Sequence, residues 1–151
     1  MALNETSRVL PWLTARAPDA LRDPVAELGL AFAYVCNPWW LRDWRLEAQA
    51  FTSHEARCFT EAVLALHEQG EPVTLVDAAA LVDLSPAVVL SEPVLAVAPD
   101  VPGLVMYLRD LYTRRRLHVI AVATAHRASD LADDPAAAAA RLRHALDEAA
   151  A

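Results

Sequence analysis

The chain has 151 residues, enough for one domain with a sizeable core, and 56% of them are hydrophobic. Its formal net charge of −7, with 20 acidic residues against 13 basic ones that are all Arg, opposes direct binding to a nucleic-acid backbone. With only three glycines the chain has no phosphate-cradling loop and no dinucleotide fingerprint, which excludes nucleotide hydrolysis. Ala and Leu are abundant and no run alternates with period two, so we predict an all-α protein.

The number of cysteines, the N-terminal sequence and the length of the apolar segments indicate the cellular compartment. Two cysteines, Cys36 and Cys58, do not make a disulfide framework, which favours a reducing environment. The N-terminus lacks the basic start and long apolar run of a secretory signal. The longest strongly apolar segment, residues 119–125, is far too short to span a bilayer. We therefore expect a soluble, cytoplasmic protein.

Residues 1–22 are mixed in character and are predicted to form an N-terminal arm that docks through Val9, Leu10 and Trp12. The pair Asp23-Pro24 predicts a helix start, because Asp can cap and Pro is pre-organised for the first helical position. The stripe expected to face the core of this helix is Val25, Leu28, Phe32 and Val35.

Three tryptophans, Trp39, Trp40 and Trp44, follow the helix stop at Asn37-Pro38. Indole rings can stack on nucleic-acid bases, but such platforms normally come with a cationic groove, which an acidic chain does not favour. We therefore predict that these side chains fill a small core.

The best-capped stretch lies at the centre of the chain. Thr52 and Glu55 have the spacing of a capping box, in which a hydroxyl and a carboxylate satisfy free amides at a helix start. Gly70 supplies the left-handed residue that ends this helix, and Thr74 with Asp77 offers acceptors at the start of the next one. The face of the first helix that is expected to be buried is Ala56, Phe59, Ala62, Val63 and Leu66.

Residues 83–100 contain three prolines and permit only short helical pieces. From about Pro102 to Ser129 the pattern predicts one long helix whose first half has a single apolar face, and Arg115 falls in the middle of that face. Beyond Arg115 the helix is apolar in nearly every direction and has to be covered on several sides. Asp134-Pro135 then starts a last helix, and the short connection predicts an antiparallel hairpin.

The predicted hairpin cannot bury both of its apolar faces within one chain, which favours self-association. The predicted organisation is an arm (1–22), a compact head of about five or six helices (23–100) and the hairpin (101–151). The residues expected to form the self-association surface are Leu117, Ile120, Val122, Leu142 and Leu146.

Candidate catalytic and metal-binding residues are few. His54 and Cys58 are four residues apart on a predicted helix and, with His67 or Cys36, could meet a zinc ion, but the usual ligand clusters are absent. No serine lies in a nucleophile elbow, and the carboxylates scatter over predicted polar faces. We therefore predict no catalytic residue, no cofactor and no metal, and we do not expect an enzyme.

The order of residue types in residues 51–81 is a more specific family signal than the helix caps of the same stretch. An aromatic residue precedes a helix of the form R-x-hydrophobic-x-x-A-hydrophobic-x-x-L, which is followed by G-x-P and a second capped helix. The positions that carry this order are Phe51, Arg57, Phe59, Ala62, Val63, Leu66, Gly70, Pro72, Val73, Val76 and Leu81. Further along, Tyr107, Leu111, Arg114, Leu117 and Ile120 read as the start of a helical hairpin.

This order resembles the N-terminal domain of DnaB-type replicative DNA helicases, with residues 24–36 in the place of that family's first helix. The chain departs from the family in several ways. Ala56 stands where the family often has His, Thr74 stands at a usual Asp, and the proline-rich span replaces a Gly-Gly segment. No segment resembles the RecA-like motor.

The resemblance implies a helical head and a hairpin that pairs with other copies into dimers and rings. In that family the domain stabilises the hexameric ring and docks primase or a loader. For this chain it implies a non-catalytic module of the primosome, with primase, replicative helicase or loader as partners. Two alternatives stay open: a primase-side helicase-binding domain, and a small helical regulatory or ligand-binding protein unrelated to replication.

Overall fold

The computed structural model describes residues 19–83, 85, 87, 100–130 and 132–151, and this part of the chain is all-α, without a strand. The predicted fold class is therefore confirmed. The predictions for Val9, Leu10 and Trp12 and most of those for the proline-rich span lie outside the described residues. The helices are α1 (Pro24–Cys36), α2 (Trp40–Asp43), α3 (His54–Glu68), α4 (Leu75–Leu81), α5 (Val101–Ala128) and α6 (Pro135–Ala150), with 3₁₀ turns at Asp19–Leu21 and Ala48–Ala50.

The chain divides into two compact units. We call Arg22–Tyr112 the head unit; the described residues of the other, the hairpin unit, are 19–21 and Thr113–Ala151. Helix α5 contributes its first part to the head unit and the remainder to the hairpin unit. The boundary falls just before Arg115, where the sequence pattern changes. The sequence-based division into 1–22, 23–100 and 101–151 stays a prediction.

Helices α1 and α3 pack side by side and run parallel in the head unit. Their starts meet where Glu27 of α1 accepts hydrogen bonds from Thr52, just before α3. Their ends meet where Trp39, just after α1, packs edge-on against His67 near the end of α3. Helix α4 packs against both. The largest fully buried apolar side chains of the unit are Leu30, Tyr34, Leu46, Phe59, Val63, Val101, Val105 and Leu108.

The predicted buried stripe of α1 is wrong in its phase. Val25 is 38% exposed, and the buried face carries Glu27 and Tyr34 instead. Two polar groups face inward because each finds partners there. The Tyr34 hydroxyl donates to Trp44 O at 2.6 Å and accepts from Leu46 N at 3.1 Å, and burying a hydrogen-bonded polar group avoids the desolvation penalty. Leu28 and Phe32 are half-buried, and Val35 is buried as predicted.

Local stop and start signals are confirmed at three places. Asp23 caps α1 by accepting from Ala26 N at 2.9 Å, with Pro24 at the first helical position. Thr74 caps α4 by accepting from Asp77 N at 3.1 Å. Gly70 follows α3 with φ 72°, a left-handed conformation that glycine adopts without steric cost.

The predicted capping box at the start of α3 is wrong in its members. Ser53 is the N-cap, and its hydroxyl accepts from Ala56 N at 3.1 Å. The amide and hydroxyl of Thr52 donate instead to the Glu27 carboxylate. A tertiary contact therefore satisfies groups that were assigned to a local motif.

The tryptophans do not fill the core as predicted. Trp39 is 66% exposed, and Trp40 and Trp44 are half-buried. The apolar side chains of this segment that reach the interior are Leu41 and Leu46. A residue of α5 binds the segment between α2 and α3. Arg109 pairs with Glu47 at 2.8 Å and donates to Arg45 O at 3.0 Å.

Candidate self-association groove

The second half of α5 and helix α6 form an antiparallel hairpin. Pro135 occupies the first turn of α6, and Asp134 caps it by accepting from Ala136 N and Ala137 N at 3.4 and 3.2 Å. Near the open end of the hairpin, Arg116 Nη2 of α5 donates to Glu148 O of α6 at 3.4 Å. At the connection, Arg141 pairs with Asp133 at 2.7 Å. The start of α6 therefore lies at the end of α5.

An apolar groove of about 150 Å³ lies between the two helices. Its walls are Val119, Ile120 and Ala123 from α5, and Leu142 and Ala145 from α6. The groove exists because several facing positions are Ala, whose side chains are too short to fill the space between two helices. Two arginines, Arg127 and Arg141, also line it.

Not all of the predicted surface residues meet at this groove. Ile120 and Leu142 line it. Leu117 and Leu146 are 40% and 41% exposed and do not line it. Val122 is half-buried and lies seven residues after Arg115, hence on that residue's side of α5.

Sequence reasoning missed Val119, which is 44% exposed, and the two arginines of the groove. The signal was present in the two four-residue steps from Val119 to Ala123 and from Ala123 to Arg127. It was hidden because this part of α5 is apolar in nearly every direction.

Arg115 is the polar residue that interrupts the apolar face of α5, and it is buried, with 9% exposure. Its Nη1 donates to Leu21 O at 2.7 Å, in the 3₁₀ turn before the head unit. A buried guanidinium requires such partners, because an unpaired one carries a large desolvation penalty. Arg115 therefore acts as a structural tie within the hairpin unit.

The residues that carry the resemblance described above differ in their burial. Phe59 and Val63 are fully buried, and Gly70 ends α3. Pro72 and Leu81 are exposed, Leu81 by 60%, so neither contributes to the core of the head unit. The half-buried members are Phe51, Arg57, Leu66 and Val73. Ala62 is buried and Val76 is exposed.

His54 and Cys58 lie close together in the first part of α3. Cys58 Sγ lies 3.7 Å from Nδ1 and 3.5 Å from Nε2 of His54. Within the described ranges, no three His, Cys, Asp or Glu residues converge as metal ligands would.

None of the described helices combines the length and apolar composition that crossing a membrane requires. No protein-family model matches the chain, and no curated protein matches it.

Proposed function

We propose that this chain is a non-catalytic assembly module whose hairpin unit pairs with a second copy. The observation that carries the proposal is the apolar groove between α5 and α6, flanked by half-exposed Leu117 and Leu146. Exposed apolar surface of this kind is typical of protein–protein interaction sites. Its burial is favourable by about 25 cal/mol per Å².

The distribution of charge also favours the hairpin unit as the pairing surface. Arg22–Tyr112 contains five Arg against thirteen Asp and Glu, a net charge of −8. Thr113–Ala151 contains six Arg against five Asp and Glu, a net charge of +1. Two head units would repel each other, whereas two hairpin units carry almost no net repulsion.

We assign the module to DNA replication because the residue order of residues 51–81 and 107–120 resembles the N-terminal domain of DnaB-type helicases. On this proposal the paired hairpins stabilise a helicase ring, and the assembly docks primase or a loader. The chain itself supplies an interaction surface and no catalytic group.

The proposal is tested by size-exclusion chromatography with light scattering, on the chain alone and with the primase and replicative helicase of the same organism. We expect a mass that rises to at least a dimer with concentration, and a complex with one of the two proteins. A dimer that binds neither protein would reject the replication assignment and leave self-association standing. A strict monomer would reject self-association, and a monomer that binds the helicase would move the assignment to a primase-side helicase-binding domain.

A further inference from the structure

The groove of the hairpin unit is lined by two arginines, only one of which has a carboxylate partner among the described residues. Arg141 is paired with Asp133 at 2.7 Å. For Arg127, which also lines the groove and is exposed, the described part of the chain places no carboxylate within ion-pair distance of the guanidinium. The rest of the lining is apolar apart from the Thr124 hydroxyl. An occupant that fits this groove therefore combines apolar side chains with a carboxylate opposite Arg127.

The same hairpin carries a suitable carboxylate at its other end. Glu148 lies three residues after Ala145 and seven after Arg141, both of which line the groove, so it belongs to the same side of α6. Its side chain is 64% exposed, and its contact is with exposed His144 at 3.5 Å. A pair this exposed contributes little, so Glu148 can exchange it for a stronger partner.

The distance between Arg127 and Glu148 along the hairpin suits a two-fold arrangement of two copies. The Arg116 to Glu148 hydrogen bond fixes the hairpin register, which sets Arg127 level with about residue 137 of α6. Glu148 is then about eleven residues, roughly 16 Å, further along the hairpin. The midpoint falls near Leu142, in the wall of the groove.

We infer that two copies pair groove to groove about a two-fold axis near Leu142, with Arg127 of each copy bound to Glu148 of the other. This inference rests on the proposed self-association and adds its geometry. In such a pairing every contact occurs twice, because both copies use the same surface. The two ion pairs set the register of the apolar contacts between the grooves.

Charge reversal tests the arrangement, with dissociation constants measured by sedimentation equilibrium. Arg127→Glu and Glu148→Arg each place two like-charged pairs in the homodimer, and each should weaken it by at least about tenfold. Mixing the two variants should restore the affinity to about that of the unaltered chain, because the mixed dimer contains two opposite-charge pairs. Circular dichroism and urea unfolding check that each variant is folded.

Arg143→Glu is the matched control, since Arg143 is exposed on α6 but points about 160° away from the groove side of that helix. It should leave the dissociation constant within about threefold of the unaltered chain, which separates the local pair from the general effect of net charge. The milder Arg127→Ala and Glu148→Gln should each weaken the dimer less than the reversals do.

A dimer that neither reversal weakens, or one that the mixture does not restore, would overturn the Arg127–Glu148 pairing while leaving self-association intact. A chain that is monomeric before any substitution would overturn the proposed self-association and the pairing with it.

Discussion

The Glu27 carboxylate accepts hydrogen bonds from both the amide and the hydroxyl of Thr52, a residue 25 positions later in the chain. It accepts from the Thr52 amide at 2.9 and 3.0 Å, from the Thr52 hydroxyl at 2.7 Å and from the Ser53 amide at 2.7 Å. Glu27 is fully buried. A side chain of α1 therefore fixes the start of α3, which gives the two parallel helices a defined register.

Replacing Glu27 with Gln should destabilise the head unit by about 2–3 kcal/mol, because charge-assisted hydrogen bonds are lost and the amide NH₂ then faces backbone donors. The free energy of unfolding from urea denaturation measures the effect. Glu47→Gln is the control, since Glu47 pairs with Arg109 at a site that is 43% exposed and should change stability by less than about 1 kcal/mol. Equal losses of unfolding free energy would show that the buried Glu27 hydrogen bonds stabilise the fold no more than the partly exposed Glu47 ion pair does.

Ser53 and not Thr52 is the N-cap of α3, so Ser53→Ala should lower the free energy of unfolding by about 1 kcal/mol. Ser53→Gly should lower it by only a few tenths of a kcal/mol, because glycine lets water solvate the free amides. Urea unfolding of both variants gives the comparison. An Ala variant as stable as the unaltered chain would contradict the assigned cap.

Burial raises the pKa of Tyr34 from 10.0 to about 12, with the hydrogen bond from Leu46 N acting in the opposite direction. The native state thus favours the neutral phenol. The stability that this difference supplies is complete below pH 10.0 and is lost as the pH rises from there to about 12.

Tyr34→Phe should remove that part of the pH dependence. It should also cost about 1–3 kcal/mol at neutral pH, because the buried Leu46 amide loses its acceptor. The free energy of unfolding measured at rising alkaline pH checks both effects. A Phe variant with the same alkaline loss of stability as the unaltered chain would show that other groups cause it.

Leu146→Gln should weaken self-association by about tenfold or more while changing the free energy of unfolding by less than about 0.5 kcal/mol, since Leu146 is 41% exposed beside the groove. Met106→Gln is the control in the head unit, where the side chain is 63% exposed. Sedimentation equilibrium of both variants measures the dissociation constants. A larger loss of affinity for Met106→Gln would move the interface to the head unit.

The sequence predicts those structural features that depend only on residues adjacent in the chain. The caps at Asp23 and Thr74, the left-handed Gly70 and the start of α6 at Asp134-Pro135 each depend on a few consecutive residues, and the structure contains all of them. All-α character follows from composition in the same way.

Features that depend on distant residues were beyond sequence reasoning. The inward phase of α1 depends on Thr52 and Leu46 as partners for Glu27 and Tyr34, and neither partner is visible in the pattern of α1 itself. The hairpin was predictable from its caps, but the groove was not. Which side of α5 faces Ala-rich α6 is decided by the packing of two helices and not by the periodicity of either one.

Sedimentation velocity of the unaltered chain over roughly a hundredfold range of concentration tests the central claim most directly, because mass action moves a reversible dimer across that range. Self-association through the hairpin unit predicts a sedimentation coefficient that rises with concentration toward that of a dimer. A coefficient that stays at the monomer value at the highest concentration would contradict the claim.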